Sequence, residues 1–276
     1  MKTYNLPSPT EYPLLNADKL RAAFLVESLF TPGALDLAYA DADRAIIGSA
    51  VPLGGALKLS ANAELRAAYF CERRELGVLN IGGEGQVAVD GQRFVMGKLD
   101  CLYVGRGNQN VSFSSRDAGA PAAFYLLSYP AHVTHPTVLA RRSEAAGVEL
   151  GSPAESNRRT IFKYIHPAGL QSCQLVMGFT QLHEGSVWNT MPPHTHARRS
   201  EVYLYFDLGP QRRVMHFLGT PQETRHLVVA DHQAVLSPSW SIHSGCGTGA
   251  YCFCWGMGGE NQAFDDMDAT ALETLR

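Results

Sequence analysis

Short runs of alternating apolar and polar residues fill most of the chain, and Gly, Pro, Asn and Asp interrupt them. This pattern is typical of β-strands with one buried face, because successive side chains of a strand point to opposite sides. The clearest example spans residues 85–97, where Val87 and Val89 share a face and Asp90-Gly91 has the composition of a two-residue turn. Further strands are predicted at residues 99–104, 122–129, 175–180, 201–208, 213–218, 234–236 and 251–256.

Helical periodicity is confined to two segments. In residues 17–30, apolar residues including Leu20 and Phe24 recur at helix-like spacing before a Thr-Pro-Gly sequence ends the pattern. The acidic tail, residues 262–276, is the second predicted helix. The fold class is therefore predicted to be mostly β, with two β-barrel or jelly-roll halves and a few short helices.

The composition indicates a globular protein without a strong overall charge. The chain has 276 residues, of which 45% are hydrophobic and 18% charged, so it has enough apolar material for a core and is not disordered overall. A net charge of −3 provides no general basic field for nucleic acid or an anionic membrane. No apolar run reaches the roughly 18–20 residues of a membrane helix. We therefore expect neither a nucleic-acid nor a membrane partner.

Two further features favour a cytoplasmic location. The first residues contain no apolar stretch of the kind that a secretory signal needs. The six cysteines are sparse and irregularly spaced, which does not fit a disulfide framework.

A polar stretch divides the chain into two halves. We predict an N-terminal half at residues 1–140, a linker at residues 141–160 and a C-terminal half at residues 161–276. A weak internal repeat supports this division. Its matching segments are residues 69–75 with 194–201 and residues 101–105 with 234–238.

The repeat predicts that the two halves differ in chemistry. In its register, three residues of the first half occupy the places of three histidines of the second half. These pairs are Tyr69 with His194, Cys71 with His196, and Asn110 with His243. A metal site is therefore expected in the C-terminal half only.

The strongest chemical signal is His194-Thr195-His196 followed by Glu201. Residues i and i+2 of a strand point to the same side, so both imidazoles can enter a barrel. Glu201 lies five residues after His196, which on an unbroken strand would place it on the opposite face. A turn or bulge near residues 198–200 is therefore required if the three groups converge.

A late strand that ends at His243 can bring a third imidazole to the same place. Three neutral imidazoles and one carboxylate suit a borderline divalent metal with positions left open for substrate. Beyond Glu201, the polar residues Tyr203, Tyr205 and Asp207 share its predicted face and are expected to point into the barrel.

Longer blocks of sequence carry a resemblance to a known family. His-x-His-x4-Glu with a distant His resembles the metal motif of the cupins. The surrounding sequence is similar to the 5-keto-4-deoxyuronate isomerase family, the 4-deoxy-L-threo-5-hexosulose-uronate ketol-isomerases of pectin breakdown, over nearly the whole chain. The matching blocks are residues 71–83, 188–196, 221–226, 238–245, 256–262 and 264–268.

This resemblance implies a double cupin that assembles as a homohexamer. It also implies one Zn²⁺ per subunit, with His194, His196, Glu201 and His243 as the metal ligands. The implied reaction interconverts 4-deoxy-L-threo-5-hexosulose-uronate and 3-deoxy-D-glycero-2,5-hexodiulosonate by metal-assisted ketol isomerisation.

Three positions depart from the family pattern. Ala197 stands where an acidic residue is common, Ser200 where Met is common and Gly249 where Lys is usual. None of them is a candidate metal ligand, and Gly249 is the one that bears on the binding of a charged substrate.

Ketol isomerisation also needs groups that move a proton and groups that bind the substrate's carboxylate. For proton transfer we expect Tyr203 or Glu260, while a direct hydride shift remains the rival route. Because a carboxylate calls for a cation, the candidate substrate-binding residues are Arg198, Arg199, Lys163 and Arg225.

Two other functions fit the same residues. Three histidines and a carboxylate also suit the iron or manganese of a metal-dependent cupin oxygenase, which oxygen uptake would reveal. A non-catalytic sugar-acid-binding cupin would bind the substrate without turnover, and replacement of Glu201 would leave that binding unchanged.

Overall fold

The computed structural model describes residues 1–263 and 265–276, and these form two compact units. The first unit comprises Met1–Thr3, Ser28–Ala145 and Tyr164–Met177. The second comprises Tyr4–Glu27, Ala146–Lys163 and Gly178–Arg276. Most of the regular structure is β-strand, which confirms the predicted fold class.

The strands are numbered in chain order. They are β1 (Lys2–Tyr4), β2 (Leu25–Val26), β3 (Leu35–Ala40), β4 (Ile46–Ala50), β5 (Leu57–Leu59), β6 (Arg74–Asn80), β7 (Gly85–Val89), β8 (Gln92–Met96), β9 (Cys101–Val104), β10 (Val111–Ser115), β11 (Phe124–Pro130), β12 (Val138–Ala140), β13 (Gly147–Leu150), β14 (Arg159–Ile165), β15 (Val176–Leu182), β16 (Trp188–Thr195), β17 (Arg199–Phe206), β18 (Val214–Thr220), β19 (Glu223–Val229), β20 (Ala234–Ser237), β21 (Ile242–Gly247), β22 (Cys252–Gly259) and β23 (Asp268–Ala269).

Helices are few and short among the described residues. The α-helix is α1 (Ala17–Phe24), and single 3-10 turns occur at Tyr12–Leu14, Ala42–Arg44, Ala63–Leu65, Phe70–Glu72, Pro153–Glu155 and Leu272–Thr274. In the part of the chain that the structure describes, no helix combines the length and the apolar character needed to cross a membrane.

The first predicted helix is real but shorter than expected. Its start is capped by Asn16, whose side chain accepts a hydrogen bond from the Lys19 N–H at 2.9 Å. It ends at Phe24 because the next two residues form β2, in which Leu25 pairs with Val235 of β20. Strand pairing therefore overrides the helical periodicity that continues to residue 30.

The predicted tail helix is wrong for the described residues, and its residue 264 lies outside them. The tail instead forms β23, in which Asp268 pairs with Thr195 of β16, followed by a 3-10 turn. Its last carbonyl accepts hydrogen bonds from the backbone N–H and the hydroxyl of Thr224. The β23 pairing uses backbone groups that an α-helix would have satisfied internally, and the contacts with Thr224 anchor the end of the tail.

The hairpin at residues 85–97 is confirmed. β7 and β8 pair antiparallel, and the turn residues Asp90 and Gly91 have φ values of 47° and 88°. Two positive φ angles match the right-handed twist of the flanking strands, which is why Asp-Gly is favoured here. The alternation did not reveal β19, and the late strand expected to end at His243 is wrong in its bounds, since β21 begins at Ile242.

The two units differ from the predicted contiguous halves in two segments. Tyr4–Glu27 belongs to the second unit, where Tyr12 donates a hydrogen bond to the carbonyl of Glu223. Tyr164–Met177 belongs to the first. The predicted linker is also structured in part, since β13 pairs with β14 through Gly147 and Phe162.

The first unit has an apolar interior between two antiparallel sheets. Their strand orders are β1-β3-β4-β11-β6-β9-β12 and β5-β10-β7-β8. The buried cluster that fills the unit is aliphatic and aromatic throughout, and it includes Leu76, Val78, Val87, Phe113 and Phe124.

One buried carboxylate interrupts this apolar environment. Glu75 on β6 is fully buried and accepts hydrogen bonds from the backbone N–H groups of Cys173, Gln174 and Leu175 at 2.6, 2.8 and 2.7 Å. The Tyr103 hydroxyl donates a fourth at 2.8 Å. Four donors offset the cost of burying a charge and tie residues 173–175 to β6.

The second unit also has two sheets, but its interior is polar near one end. The orders are β13-β14-β15-β22-β17-β20-β2 and β19-β18-β21-β16-β23. β17 lies between β22 and β20, and its residues Glu201 and Tyr203 are buried. In the other sheet, β16 and β21 pair so that His194 lies directly opposite His243.

The Glu75 contacts predict a large effect on stability. Replacing Glu75 by Gln places an amide group, itself a donor, against backbone donors, so we expect the free energy of unfolding to fall by about 2–4 kcal/mol. The measurement is urea unfolding followed by circular dichroism. The control is Glu84→Gln, because Glu84 forms an exposed pair with Arg116 at 2.7 Å and should change stability by less than about 0.5 kcal/mol. Equal effects of the two variants would contradict the assigned role of Glu75.

Candidate metal centre

The four candidate ligands converge in the second unit. His194 is near the end of β16, His196 follows it, Glu201 lies on β17 and His243 lies on β21. His196, Glu201 and His243 are buried, and His194 is half-buried. One ligand atom from each residue lies within 4.8 Å of every other. Among the described residues, this is the group of His, Cys, Asp and Glu side chains arranged to hold a metal ion.

The distances between these atoms fit a single ion. His194 Nε2 is 3.2 Å from His196 Nε2 and 3.0 Å from His243 Nε2. Glu201 Oε2 is 3.2 Å from His196 Nε2 and 3.0 Å from His243 Nε2. Two atoms that each lie about 2.1 Å from a zinc ion are about 3.0 Å apart at right angles and about 3.4 Å apart at the tetrahedral angle. The donors present therefore suit one divalent cation.

A tight turn brings Glu201 to the same side as the histidines, as the spacing required. β16 ends at Thr195, the turn falls on Ala197 and Arg198, and the Arg199 N–H donates to the His196 carbonyl at 3.3 Å. Because β17 starts afresh at Arg199, its alternation is no longer in phase with β16. Glu201 and Tyr203 thereby face the cluster, while Asp207 lies after the end of β17 and is exposed.

Burial and mutual proximity set the protonation of the cluster. Burial, followed by the neighbouring His243, lowers the pKa of His194 to about 3, so its imidazole is neutral at pH 7. Burial alone would raise the pKa of Glu201, but His243 and His196 outweigh it and hold that pKa below its usual range. A neutral imidazole and an ionised carboxylate are the forms that bind a metal.

Backbone and hydroxyl groups orient two of the imidazoles from behind. His196 Nδ1 lies 3.1 Å from the Asp266 carbonyl oxygen, while its Nε2 faces the cluster. Ser237 Oγ lies 3.3 Å from His243 Nδ1. Such contacts fix the ring orientation that a bound ion requires.

Arg199 is a buried cation beside this cluster. Its side chain is 1% exposed, and its Nη2 lies 3.1 Å from His196 Nδ1. Its Nε and Nη1 have no hydrogen-bond partner among the described residues. A buried guanidinium with unused donors is costly and is typical of a site for an anionic ligand.

A cavity of about 370 Å³ opens in front of the cluster. This volume is within the range of small-molecule sites. Its lining combines three cations with aromatic and aliphatic side chains. The lining residues are Arg159, Ile161, Lys163, Thr180, Thr190, Met191, Pro192, His194, His196, Arg199, Glu201, Tyr203, Phe253, Trp255, Met257 and Met267.

Of the two predicted proton-transfer residues, the cavity includes one. Tyr203 lines it, and its hydroxyl lies 3.3 Å from Thr190 Oγ1. Burial, and then the Glu201 carboxylate, raise the pKa of Tyr203 well above its usual value, so its hydroxyl stays protonated and can donate. Glu260 is exposed, lies 3.8 Å from Arg198 Nη1 and does not line the cavity.

Of the four predicted substrate-binding residues, two line the cavity and two do not. Lys163 and Arg199 line the cavity, whereas Arg198 is exposed beside Glu260. Arg225 donates to the carbonyls of Pro13 and Leu15 at 3.1 and 2.9 Å, away from the cavity. Its charge stabilises the N-terminal segment of the second unit.

The departure at Gly249 falls outside the cavity as well. A side chain there would meet the guanidinium carbon of Arg212 at 2.9 Å. This position therefore has no direct bearing on substrate charge.

Sequence reasoning missed Arg159, which lines the cavity from β14. It falls in the stretch interpreted as a linker. The available signal was the alternation of Arg159, Ile161 and Lys163, all of which face the cavity.

His216 is a further buried histidine in the interior of the second unit. Its Nδ1 is 2.7 Å from the Tyr205 hydroxyl, and its Nε2 has no partner among the described residues. Its ring packs edge-on against Tyr203 at a centroid distance of 5.5 Å. Burial, and then His243, lower the pKa of His216 to about 3.

At two of the four corresponding positions, the first unit has the apolar residues Leu76 and Cys71 in place of Glu201 and His196. Leu76 pairs with Val104 between β6 and β9, as Glu201 pairs with Ser237 between β17 and β20. Cys71 is part of the apolar cluster, and burial raises the pKa of its thiol to about 12, which keeps it from acting as a thiolate ligand.

A family model described as the KduI/IolB family matches residues 29–275. The chain belongs to the KduI/IolB family. It is 56% identical over 268 residues to a 4-deoxy-L-threo-5-hexosulose-uronate ketol-isomerase of Shouchella clausii, with 97% of each chain covered. It is 53% identical over 276 residues to the protein of the same name from Lachnoclostridium phytofermentans, with 100% of each covered.

Solved structures with much lower identity share the fold of this family member. An IolB-like protein from Salmonella typhimurium superposes with a TM-score of 0.73 at 13% identity, covering 90% of this chain and 96% of that one. A mutant of the oxalate decarboxylase OxdC from Bacillus subtilis gives 0.56 at 11% identity, covering 79% and 70%. These likenesses confirm the double-cupin fold expected from the sequence.

The cluster geometry predicts that metal binding depends on His194. Removing this imidazole by His194→Ala deletes one of four donors, so we expect bound zinc to fall from about one ion per chain to a small fraction. The measurement is metal content by mass spectrometry after dialysis, with circular dichroism to verify folding. The control is His226→Ala, since His226 is exposed and does not line the cavity. Full metal content in the His194 variant would refute this assignment.

Burial of His216 predicts a defined dependence of stability on pH. The unfolded imidazole binds a proton below about pH 6.5, whereas the folded one does so only near pH 3. The unfolded state therefore gains protons on acidification, and the free energy of unfolding falls by about 2 kcal/mol between pH 6.5 and 4.5 on account of this residue. In His216→Gln this part of the dependence of the free energy of unfolding on pH should vanish, and in His226→Gln it should remain. Urea unfolding at several pH values measures it, and identical slopes in all three proteins would contradict the assignment.

Proposed function

We propose that this protein is a ketol-isomerase that interconverts 4-deoxy-L-threo-5-hexosulose-uronate and 3-deoxy-D-glycero-2,5-hexodiulosonate. The observation that carries the proposal is the convergence of three imidazoles and a carboxylate at the wall of a cation-lined cavity. It occurs in a chain that is more than half identical, over its length, to proteins named for this activity.

The same proposal assigns His194, His196, Glu201 and His243 as the ligands of one Zn²⁺. The nitrogen-rich donor set supports this choice, since zinc favours imidazole and carboxylate ligands and tolerates an open coordination position. When bound, the ion polarises the substrate carbonyl and stabilises the negative charge that develops as hydrogen moves between neighbouring carbons.

Arg199 is proposed to stabilise negative charge on the substrate oxygens at the reacting end. Its unused Nε and Nη1 donors are buried next to His196, so they can donate without competition from water. Lys163 adds a second positive charge to the lining. Together they favour an anionic substrate over a neutral one.

Tyr203 is proposed as the group that exchanges a proton with a substrate oxygen. Its hydroxyl faces the cavity close to Glu201, and its raised pKa keeps it protonated, so it acts first as a donor. The aromatic residues Phe253 and Trp255 on the neighbouring strand limit the access of water to this side of the cavity.

Two expectations from the sequence stay predictions. They are assembly as a homohexamer and a cytoplasmic location. The reaction proposed here takes place within the lining of one cavity of the second unit and does not depend on either.

The function is tested by a coupled assay with and without a chelator. Digestion of pectate by pectate lyase and oligogalacturonide lyase supplies the substrate, and the ketol product is measured under anaerobic conditions. We expect turnover that EDTA abolishes and Zn²⁺ restores, and that Glu201→Gln lowers by at least about 100-fold. His226→Ala should retain full activity.

Three outcomes would overturn the proposal. Turnover that persists in metal-free protein would remove the role of the ion. Consumption of oxygen with no anaerobic turnover would identify an oxygenase instead. Binding of the sugar acid without turnover, unchanged in Glu201→Gln, would identify a non-catalytic binding protein.

A further inference from the structure

Arg159 lines the cavity from a strand that is not adjacent to the strands of the cluster. It is on β14, three strands away from β17 in the order β14-β15-β22-β17. At a strand spacing of about 4.8 Å, this separates the two strands by about 14 Å along the sheet. Arg159 and Lys163 thus form a second cationic region, distinct from Arg199 beside the cluster.

The guanidinium of Arg159 has no acidic partner among the described residues. Its Nη1 donates to the Asn157 carbonyl at 2.9 Å, and its closest electrostatic neighbours are the phenols of Tyr203 and Tyr251. Its neighbour Arg158, by contrast, pairs with Glu149 at 3.3 Å. A half-buried charge without a counter-ion is unfavourable, so the position is suited to an anion that arrives with the ligand.

The substrate in the proposed function carries its charge at the end that does not react. As its name states, a hexosulose-uronate with its second carbonyl at carbon 5 has an aldehyde at carbon 1 and a carboxylate at carbon 6. Ketol isomerisation exchanges the carbonyl and the hydroxyl of carbons 1 and 2. An extended six-carbon chain spans roughly 6 Å, given bonds of about 1.5 Å. The carboxylate therefore lies well away from the reacting carbons.

The two cationic regions can be matched to the two ends of this molecule. Arg199 contacts His196 and so lies where the reacting oxygens must be. Arg159 lines the same cavity from a strand three places away from β17, so the end of an extended chain that points away from the cluster can reach it. A guanidinium also matches a carboxylate with two parallel hydrogen bonds, which a lysine cannot provide.

We infer that Arg159 binds the carboxylate of the substrate and thereby orients the open-chain sugar acid across the cavity. This inference rests on the proposed function and adds the orientation of the substrate and the residue that selects for its acid group. The opposite orientation would place carbons 5 and 6 at the cluster. In that case Arg199 would meet the carboxylate, and Arg159 would face the uncharged aldehyde end.

The test compares the acid with a neutral analogue in which the carboxylate is replaced by a hydroxymethyl group. We expect Arg159→Gln to lower kcat/KM for the acid by about 10- to 100-fold, mainly through KM, and to change it less than about threefold for the neutral analogue. Arg159→Lys should recover part of the loss. Arg158→Gln is the matched control and should behave like the unmodified protein towards both compounds.

A second measurement does not depend on turnover. Calorimetry gives the affinity for the unreactive alcohols obtained by reducing the carbonyls of each compound. Arg159→Gln should weaken binding of the acid by about 10-fold or more and leave binding of the neutral alcohol within about threefold. Metal content and circular dichroism verify that the variant is folded and loaded.

The outcomes separate the orientation from the function itself. If the unmodified protein turns over neither compound, the proposed function fails, and the calorimetry alone then tests whether Arg159 binds the carboxylate. If Arg159→Gln affects acid and neutral compound equally, Arg159 does not read the carboxylate and the inference is overturned. If selectivity for the acid is lost in Arg199→Gln and kept in Arg159→Gln, the opposite orientation is correct.

Discussion

The candidate site depends on one tight turn between two strands. Without the turn at Ala197 and Arg198, His196 and Glu201 would project from opposite faces of a continuous strand. With it, β17 starts in a new phase and directs Arg199, Glu201 and Tyr203 towards the cavity. The positions of the Glu201 carboxylate, the buried Arg199 cation and the Tyr203 phenol therefore all follow from the same local change of backbone direction.

Much of this site is encoded by spacing within the sequence. The i, i+2 relation of His194 and His196 and the odd interval to Glu201 predicted that these three side chains converge only across a turn, and the structure has that turn. The place of Arg159 in the cavity could not be found in this way, because it depends on a strand order in which β14 and β17 share a sheet without being neighbours. The contact between His196 and the Asp266 carbonyl is likewise set by how the tail packs, not by any local pattern.

Elements of the fold were predictable from the sequence where local residue preferences determine them. The Asp90-Gly91 hairpin forms because its two central residues accept positive φ, which is a local property. The tail helix does not form in the described residues, because the backbone of β23 pairs with that of β16 instead of forming hydrogen bonds within a helix. Local signals hold where no distant strand competes for the same hydrogen bonds.

The two units differ in the polarity of their interiors, and this difference affects both stability and chemistry. Leu76 in the first unit packs into an apolar cluster, whereas Glu201 at the corresponding place faces three imidazoles. The first interior contributes hydrophobic stabilisation. The second gives up part of that contribution to bury polar groups that need one another, or a ligand, as partners.

Pairing of β23 with β16 has a consequence for how the chain's last residues behave. Ala269 pairs with the backbone of His194, and the Asp266 carbonyl contacts the ring of His196, so the segment at the edge of the sheet contacts two candidate ligand residues. Ion occupancy and attachment of this segment are therefore thermodynamically linked, and each strengthens the other by the same free energy. Resistance of the C-terminal peptide to proteases thus becomes a direct gauge of how full the centre is.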